Sequence, residues 1–263
     1  MAIRVVVHGA AGKMGQELVN GLAREPGIEV VGAVDVKAEK PAYPLPDDRG
    51  TVPYSADLDK VIAQSKPDVI VDFSVAKATM PMVRVATAKH VAAVIGTTGL
   101  TAAEVDEIRG LAAANKVGVV MAPNFALGAV LMMHLAKIAA RYLDYAEITE
   151  LHHHLKADAP SGTALMTARE MAKARGRPFS RPPGTVVFAS RGQETEGVTI
   201  HSVRLPGLVA HQEVILGTLG QTLTIRHDST SRESFMPGVL LATREVMNRQ
   251  ELVVGLDRLI GLA

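Results

Sequence analysis

Ile3-Arg4-Val5-Val6-Val7-His8-Gly9-Ala10-Ala11-Gly12-Lys13-Met14-Gly15 is the stretch on which the fold turns. Its first half is a short β-branched run bounded by glycine, which reads as a buried parallel strand. From Lys13 to Arg24 the apolar residues Met14, Leu18, Val19 and Leu22 recur at helical spacing. A strand that runs through a glycine-rich turn into a helix is the context of a dinucleotide-binding loop. The glycines are spaced G-x-x-G-x-x-G rather than G-x-G-x-x-G, but the physics is the same. Gly9, Ala10, Ala11, Gly12, Lys13 and Met14 bring backbone N–H groups and a positive helix end toward a pyrophosphate.

Outward from this loop, Ile28–Asp35 reads as a second strand, and Asp35 at its end is placed to bind the adenosine ribose hydroxyls. Asp35 repels a 2′-phosphate and Lys37 offsets that repulsion, so both NADH and NADPH are expected as cofactors, with NADH at least competitive. Residues 36–56 hold Pro41, Pro44, Pro46 and Pro53 and read as a loop. Strands are expected at Val69–Phe73, Val91–Ile95 and Val117–Met121, and helices at Asp57–Gln64 and Ala76–Lys89. A further helix to about Ala114 opens with a Thr101/Glu104 capping box. Strands alternating with helices indicate an α/β fold with a doubly wound, Rossmann-like parallel sheet. In such sheets ligands sit at the carboxyl ends of strands. That puts Gly96, Thr97 and Thr98, and then Ala122, Pro123, Asn124 and Phe125, on the nicotinamide side.

Leu127–Tyr142 and Thr163–Ala174 read as helices. From about Thr185 to His227 the texture becomes β-rich and turn-separated, with segments Val198–Leu205, Gln212–Leu216 and Thr222–His227 suggesting antiparallel strands. Phe235–Asn248 is again helical. The second region is therefore an α+β domain with an open mixed or antiparallel sheet. Its chemistry is concentrated in Glu150-Leu151-His152-His153-His154-Leu155-Lys156-Ala157-Asp158-Ala159-Pro160-Ser161-Gly162-Thr163. His152 and Lys156 are proton-transfer side chains four residues apart, a step that puts them on one face of a helix or a strand. Pro160, Ser161 and Gly162 form a turn opening into a helix, where Ser161 can cap and Gly162 and Thr163 offer N–H groups to a carboxylate. Proton donors beside an anion cradle describe a site for an acidic small molecule. His152 and His154 would share a strand face as zinc ligands, but no Asp, Glu or Cys completes the set by spacing, so no metal is expected.

The 263 residues carry a net charge of +1, 48% hydrophobic residues, 3% aromatic residues and no cysteine. A balanced charge gives no electrostatic case for nucleic acid or a membrane surface. Few aromatics remove stacking platforms for single strands. The lack of cysteine excludes disulfides, thiolate metal sites and cysteine nucleophiles. No apolar run approaches the ~20 residues of a membrane span, and the N-terminus lacks the pattern of a signal peptide. A cytoplasmic protein is expected.

The His-His-x-x-Lys-x-Asp-Ala-Pro-Ser-Gly-Thr-Ala run, the N-terminal Gly-x-x-Gly-x-Met-Gly loop, the Gly-Thr-Thr-Gly turn at 96–99 and Ala-Pro-Asn-Phe at 122–125 together resemble the 4-hydroxy-tetrahydrodipicolinate reductase family, nearly end to end. The family, also called dihydrodipicolinate reductase, reduces a cyclic dicarboxylate imine with NADH or NADPH in the lysine and diaminopimelate pathway. The resemblance implies that His152 is the proton donor and acceptor and Lys156 a proton donor. It implies that His153, Gly162 and Thr163 bind substrate. It also implies a homotetramer formed through the second domain's sheet, and a dinucleotide-binding domain of residues 1–123 and 233–263 around a substrate domain of 124–232. One departure is visible: Ala210-His211-Gln212, read as a loop of the substrate domain before a strand, stands where the family commonly has Gly-Glu-His. His201, Arg204, Ser231 and Arg232 match the family and read as mostly structural or at the domain hinge, with Arg204 a candidate to attract the dicarboxylate. The alternatives are another two-domain NAD(P)-dependent oxidoreductase of amino-acid metabolism, and a non-catalytic NAD(P)-sensing protein. The motif at 152–163 argues against the first, and its intact acid residues against the second.

Overall fold

The computed structural model describes residues 1–181 and 189–262, so the start of the expected β-rich stretch near Thr185 lies outside the described residues. The chain divides into two compact units, Met1–Phe125 with Phe235–Ala263, and Ala126–Ser234.

The first unit begins β1 (Ile3–His8), α1 (Lys13–Arg24) and β2 (Ile28–Val34). It continues with β3 (Ala42–Pro44), β4 (Thr51–Ser55), α2 (Leu58–Ser65), β5 (Val69–Asp72) and α3 (Ala76–Ala88). Next come β6 (Ala92–Ile95), α4 (Ala102–Asn115) and β7 (Val119–Met121). The Thr101 capping box at the start of α4 is formed. The expected loop over 36–56 instead contains the β3–β4 hairpin. Pro44 fits because β3 is the outermost strand, where a missing ladder N–H is tolerated, and Pro53 fits because β4 pairs with β2 only from Tyr54 onward.

The second unit comprises α5 (Leu127–Ala139), β8 (Tyr145–His152), α6 (Gly162–Arg175), β9 (Gln193–Thr195), β10 (Val198–Arg204), β11 (Ala210–Thr218) and β12 (Gln221–Ser229). Its sheet runs β12-β11-β8-β10-β9. β10 lies parallel to β8, unlike the antiparallel reading of that segment, because the chain crosses over through α6 between them. The remaining pairs are antiparallel, so the sheet is mixed. Ala146, Ile148, Val198, Ile200, Val214 and Leu216 form the sheet's buried row, which packs with Met132, Ala136, Ala164, Ala168 and Met171 of α5 and α6.

The chain then returns to the first unit as α7 (Met236–Glu245), β13 (Leu252–Val254) and α8 (Leu256–Leu259). The sheet order there is β13-β7-β6-β5-β1-β2-β4-β3. Every neighbouring pair from β13 to β4 is parallel. The chain leaves β1 toward β2 on one side and comes back to β5 on the other, so a topological switch point falls beside the Gly9 turn. β13, three residues long, carries too little periodicity to be read from sequence.

A Cβ at Gly238 in α7 would lie 2.1 Å from Phe125 O, a contact with rigid backbone, whereas at Gly110 in α4 nothing lies within 4 Å. Gly238→Ala should therefore cost about 1–3 kcal/mol by overpacking. Gly110→Ala should gain about 0.5–1 kcal/mol by helix propensity. Urea denaturation of both variants measures the two signs.

Candidate active site

The glycine loop is built by its backbone. Gly9 has φ +85°, and a Cβ there would meet Phe73 O at 2.7 Å; at Gly15 it would meet Gly9 O at 2.1 Å. Gly9 and Ala10 both donate to Val34 O, at 2.8 and 3.2 Å, which pins the turn to the end of β2. Gly12 is exposed and begins α1 with no side-chain cap. The bare helix start is suited to a phosphate, so these residues fit a dinucleotide. Asp35 accepts from Ala11 N and Lys37 N, both at 2.9 Å. It is thus tied to the loop from beneath. The Lys13 and Lys37 side chains are exposed and Met14 half-buried.

Tyr43, on the hairpin that the sequence reading took for a loop, donates to Ala10 O at 3.1 Å and stacks edge-on to Tyr54. Burial and the neighbouring Asp35 charge push its hydroxyl above the ordinary tyrosine range.

The two strand-end loops are organised by a side chain that spacing did not reveal. Asp72, fully buried at the end of β5, accepts from Ser74 Oγ at 2.6 Å, Thr79 Oγ1 at 2.7 Å and Thr97 Oγ1 at 2.8 Å, and pairs with His8 Nδ1 at 2.7 Å. Burial opposes its charge, but His8, Ser74 and Thr79 together hold the carboxyl below its usual range. Thr97 in turn accepts from Ser74 N. Gly96 is needed because a Cβ there would meet the Phe73 ring at 2.2 Å. That ring also packs on Phe125, centroids 5.3 Å apart. Ala122 and Phe125 are buried, Asn124 is half-buried, and Thr98 and Pro123 are exposed.

In the second unit the strand ends at His152, and the chain turns at His154 and Leu155. Consequently His152 and Lys156 do not share a strand or helix face, nor do His152 and His154. The buried row of β8 continues past Ile148 into Glu150, which is wholly buried. Glu150 Oε2 lies 2.5 Å from His152 Nδ1. Arg204, paired with His152 across β10 and β8, grips both oxygens of Glu150 at 2.9 and 2.8 Å. Ser161 N donates to Oε1 at 3.2 Å. Burial raises the carboxyl, but His152, Arg204 and Ser202 overcome it and lower it to about 2. Arg204 also donates to Asp158 O and Val203 O. Its guanidinium is committed to holding this corner rather than to a free anion.

Lys156 Nζ is held by both oxygens of Asp158, at 2.7 and 2.9 Å, and the Lys156 side chain is 22% exposed. His153 is half-buried, and its pKa is lowered by burial and then by the positive neighbours His152, Arg232, His154 and Lys156. A positive patch of this kind favours a carboxylate ligand. Ser161 caps α6 by accepting from Ala164 N, and a side chain at Gly162 would meet open space. The Gln212 of the Ala210-His211-Gln212 departure sits inside β11 opposite Glu150, not in a loop. It donates to Thr167 Oγ1 at 2.8 Å, and Thr167 donates to Thr163 O, so it anchors the first turns of α6. Among the described residues no group of three or more His, Asp or Glu is arranged to hold a metal. No helix among them is long and apolar enough to cross a membrane.

Comparison with known proteins gives the family and the fold. Residues 3–125 match the family described as dihydrodipicolinate reductase, N-terminus, and residues 128–260 the corresponding C-terminus. A 4-hydroxy-tetrahydrodipicolinate reductase of Dehalococcoides mccartyi (strain ATCC BAA-2100) is 57% identical, covering 99% of each chain. Another from Moorella thermoacetica is 50% identical over 98% of each. The structure of dipicolinate-bound dihydrodipicolinate reductase from Paenisporosarcina sp. TG-14 superposes with a TM-score of 0.87 at 41% identity, covering 98% of this chain and 99% of that one. An amine dehydrogenase from Mycobacterium smegmatis, 17% identical with a TM-score of 0.68, shares the fold.

The depressed carboxyl of Glu150 stabilises the folded state above its unfolded pKa, and that stability is lost as pH falls through the folded value of about 2. Between roughly pH 4.5 and 2, wild-type protein should therefore lose more unfolding free energy than Glu150→Gln, which has no proton to take up there. Denaturant titrations across that window compare the two slopes.

Proposed function

This chain belongs to the dihydrodipicolinate reductase family, and on that premise we propose that it reduces 4-hydroxy-tetrahydrodipicolinate to tetrahydrodipicolinate in lysine and diaminopimelate biosynthesis. The observation that carries this reading is the meeting, at the carboxyl end of β8, of a carboxylate-bound imidazole, a cationic patch and the Ser161-capped start of α6, with open space at Gly162. A ring with two carboxylates needs cationic or N–H partners. His153 and the N–H groups of Gly162 and Thr163 supply them. The relative that carries dipicolinate in its structure supports a planar dicarboxylate ligand.

Bound in the first unit, the nicotinamide cofactor supplies a hydride. Loss of the substrate's 4-hydroxyl as water gives the conjugated imine, and hydride addition to that imine leaves negative charge on the ring, which a nearby acid must quench. His152 and Lys156 give that proton. Asp158 keeps the Lys156 ammonium in place until substrate arrives. Gly9, Ala10, Ala11, Gly12, Lys13 and Met14 hold the pyrophosphate. Asp35 and Lys37 face the adenosine ribose, Asp35 favouring free hydroxyls and Lys37 tolerating a 2′-phosphate, so NADH and NADPH both serve. Gly96, Thr97 and Thr98, with Ala122, Pro123, Asn124 and Phe125, border the nicotinamide. A cytoplasmic homotetramer is the working form we propose.

The direct test supplies pyruvate and aspartate semialdehyde to the preceding synthase and follows NADH consumption when this protein is added. No consumption with either NADH or NADPH rejects the proposal. In the same assay, His152→Ala and Lys156→Ala should each lower turnover by about a hundredfold, the scale of general acid catalysis. NADH affinity, measured by fluorescence titration, should stay near wild type. Asp35→Ala should weaken NADH more than NADPH, which steady-state KM values with each cofactor report.

A further inference from the structure

Glu150 contacts one of the two imidazole nitrogens of His152. Glu150 is wholly buried, and its two oxygens are surrounded by donors: both terminal nitrogens of Arg204 and the Ser161 N–H. A carboxylate so placed is ionised and can only accept hydrogen bonds. The nitrogen 2.5 Å from it, His152 Nδ1, is therefore the donor. We propose that Glu150 is the positioning residue of this site: it fixes a proton on His152 Nδ1, leaving Nε2 as the atom that gives up and regains the catalytic proton. The proposal rests on the reductase reading given above for the identity of the substrate, but not for the state of the imidazole.

The proton balance is simple. Protonated His152 carries N–H on both nitrogens. The Nε2–H bond breaks as a bond from that proton to the reduced ring forms, and the imidazole is left neutral with Nδ1–H still directed at Glu150. Glu150 gains no proton in the cycle. Its negative charge instead stabilises the imidazolium that must form before the next turnover. Arg204 has the complementary task. It keeps Glu150 ionised, and because it also donates to Asp158 O, it ties the turn that carries Lys156 to the same carboxylate. Ser161 N joins the α6 cap to it. One buried side chain thereby sets the relation between acid and anion cradle. The titratable and charged groups around His152 are Glu150 from β8, His153, His154, Lys156 and Asp158 from the segment after it, Arg204 from β10, and Arg232, which acts on the neighbouring His153. The first turn of α6 adds no acid, and the β11 residue in register is Ala210.

The first measurement needs no variant of Glu150. Two-bond proton–nitrogen NMR correlation of the 15N-histidine-labelled wild-type protein at alkaline pH, with the His152 signal assigned by its loss in His152→Gln, reads the neutral tautomer. Protonated Nδ1 is expected; protonated Nε2 overturns the proposal. Kinetics supply the second arm. In Glu150→Gln, kcat should fall by roughly tenfold or more, KM for NADH should stay close to wild type, and the alkaline limb of kcat/KM should move to lower pH. Glu150→Asp keeps the charge and should recover the wild-type position of that limb with an intermediate kcat. Equal losses in both variants with an unmoved limb would make Glu150 purely structural and refute the inference. If wild-type protein consumes no NADH with this substrate, the reductase reading fails while the tautomer still decides the role of Glu150.

Discussion

A carboxylate taken out of water must be surrounded by donors, and the second unit is arranged to do this for Glu150. The apolar row of β8 would otherwise continue unbroken from Ala146 and Ile148. An acid next in that row is met by Arg204, which reaches across from its place opposite His152 on β10, and by a backbone N–H from the 159–161 turn. Replacing a buried ion pair by apolar residues is often neutral or stabilising, so such a pair is weak ground for a stability role. Its value here lies in geometry. The imidazole, the turn bearing Lys156 and the cap of α6 are all fixed relative to one side chain.

The first unit solves a similar problem in the same way. Asp72 closes the apolar run of β5 and is as deeply buried as Glu150. Its partners come from the end of β1, the start of α3 and the turn after β6. Each of these segments adjoins a loop assigned to the cofactor. A parallel sheet leaves its strand ends pointing at ligand with no hairpins to join them. A buried acid with several acceptor sites can tie such ends together where backbone hydrogen bonding cannot. In both units the ordering element lies one layer beneath the residues proposed to touch ligand.

This explains what was legible in the sequence. The glycine loop, Asp35, the capping box and the 152–163 motif are local: their chemistry is carried by residues adjacent in the chain, and periodicity or spacing exposes them. The parallel sheet followed from alternating strands and helices for the same reason. Arg204 lies 54 residues from Glu150 and His8 lies 64 from Asp72, and nothing local marks either as the partner. Glu150 was in plain view at the head of the motif, but an acid there reads as exposed until its strand is known to be covered by helices. The 36–56 segment departs from its expected loop for a different reason. Four prolines outweighed Tyr43, Val52 and Tyr54, although proline is compatible with an outer hairpin.

The Ala210-His211-Gln212 segment shows how far such a reading can be carried once the strand is placed. As sequence, it was a departure in a loop. As structure, its alternation within β11 gives each residue a separate task. His211 faces the open side and pairs with Asp228 at 2.6 Å, while Gln212 faces the buried side opposite Glu150. The Gln212 amide then reaches Thr167, whose hydroxyl holds the Thr163 carbonyl. The first turns of α6 are thus held at their cap by Glu150 and one turn later by Gln212. An anion cradle made of backbone N–H groups has no side chain of its own to adjust, so its precision depends on how firmly the helix start is seated. Two buried polar side chains, side by side on neighbouring strands, provide that seat, and the departure from the family pattern falls within this support while every residue proposed to touch substrate is left in place.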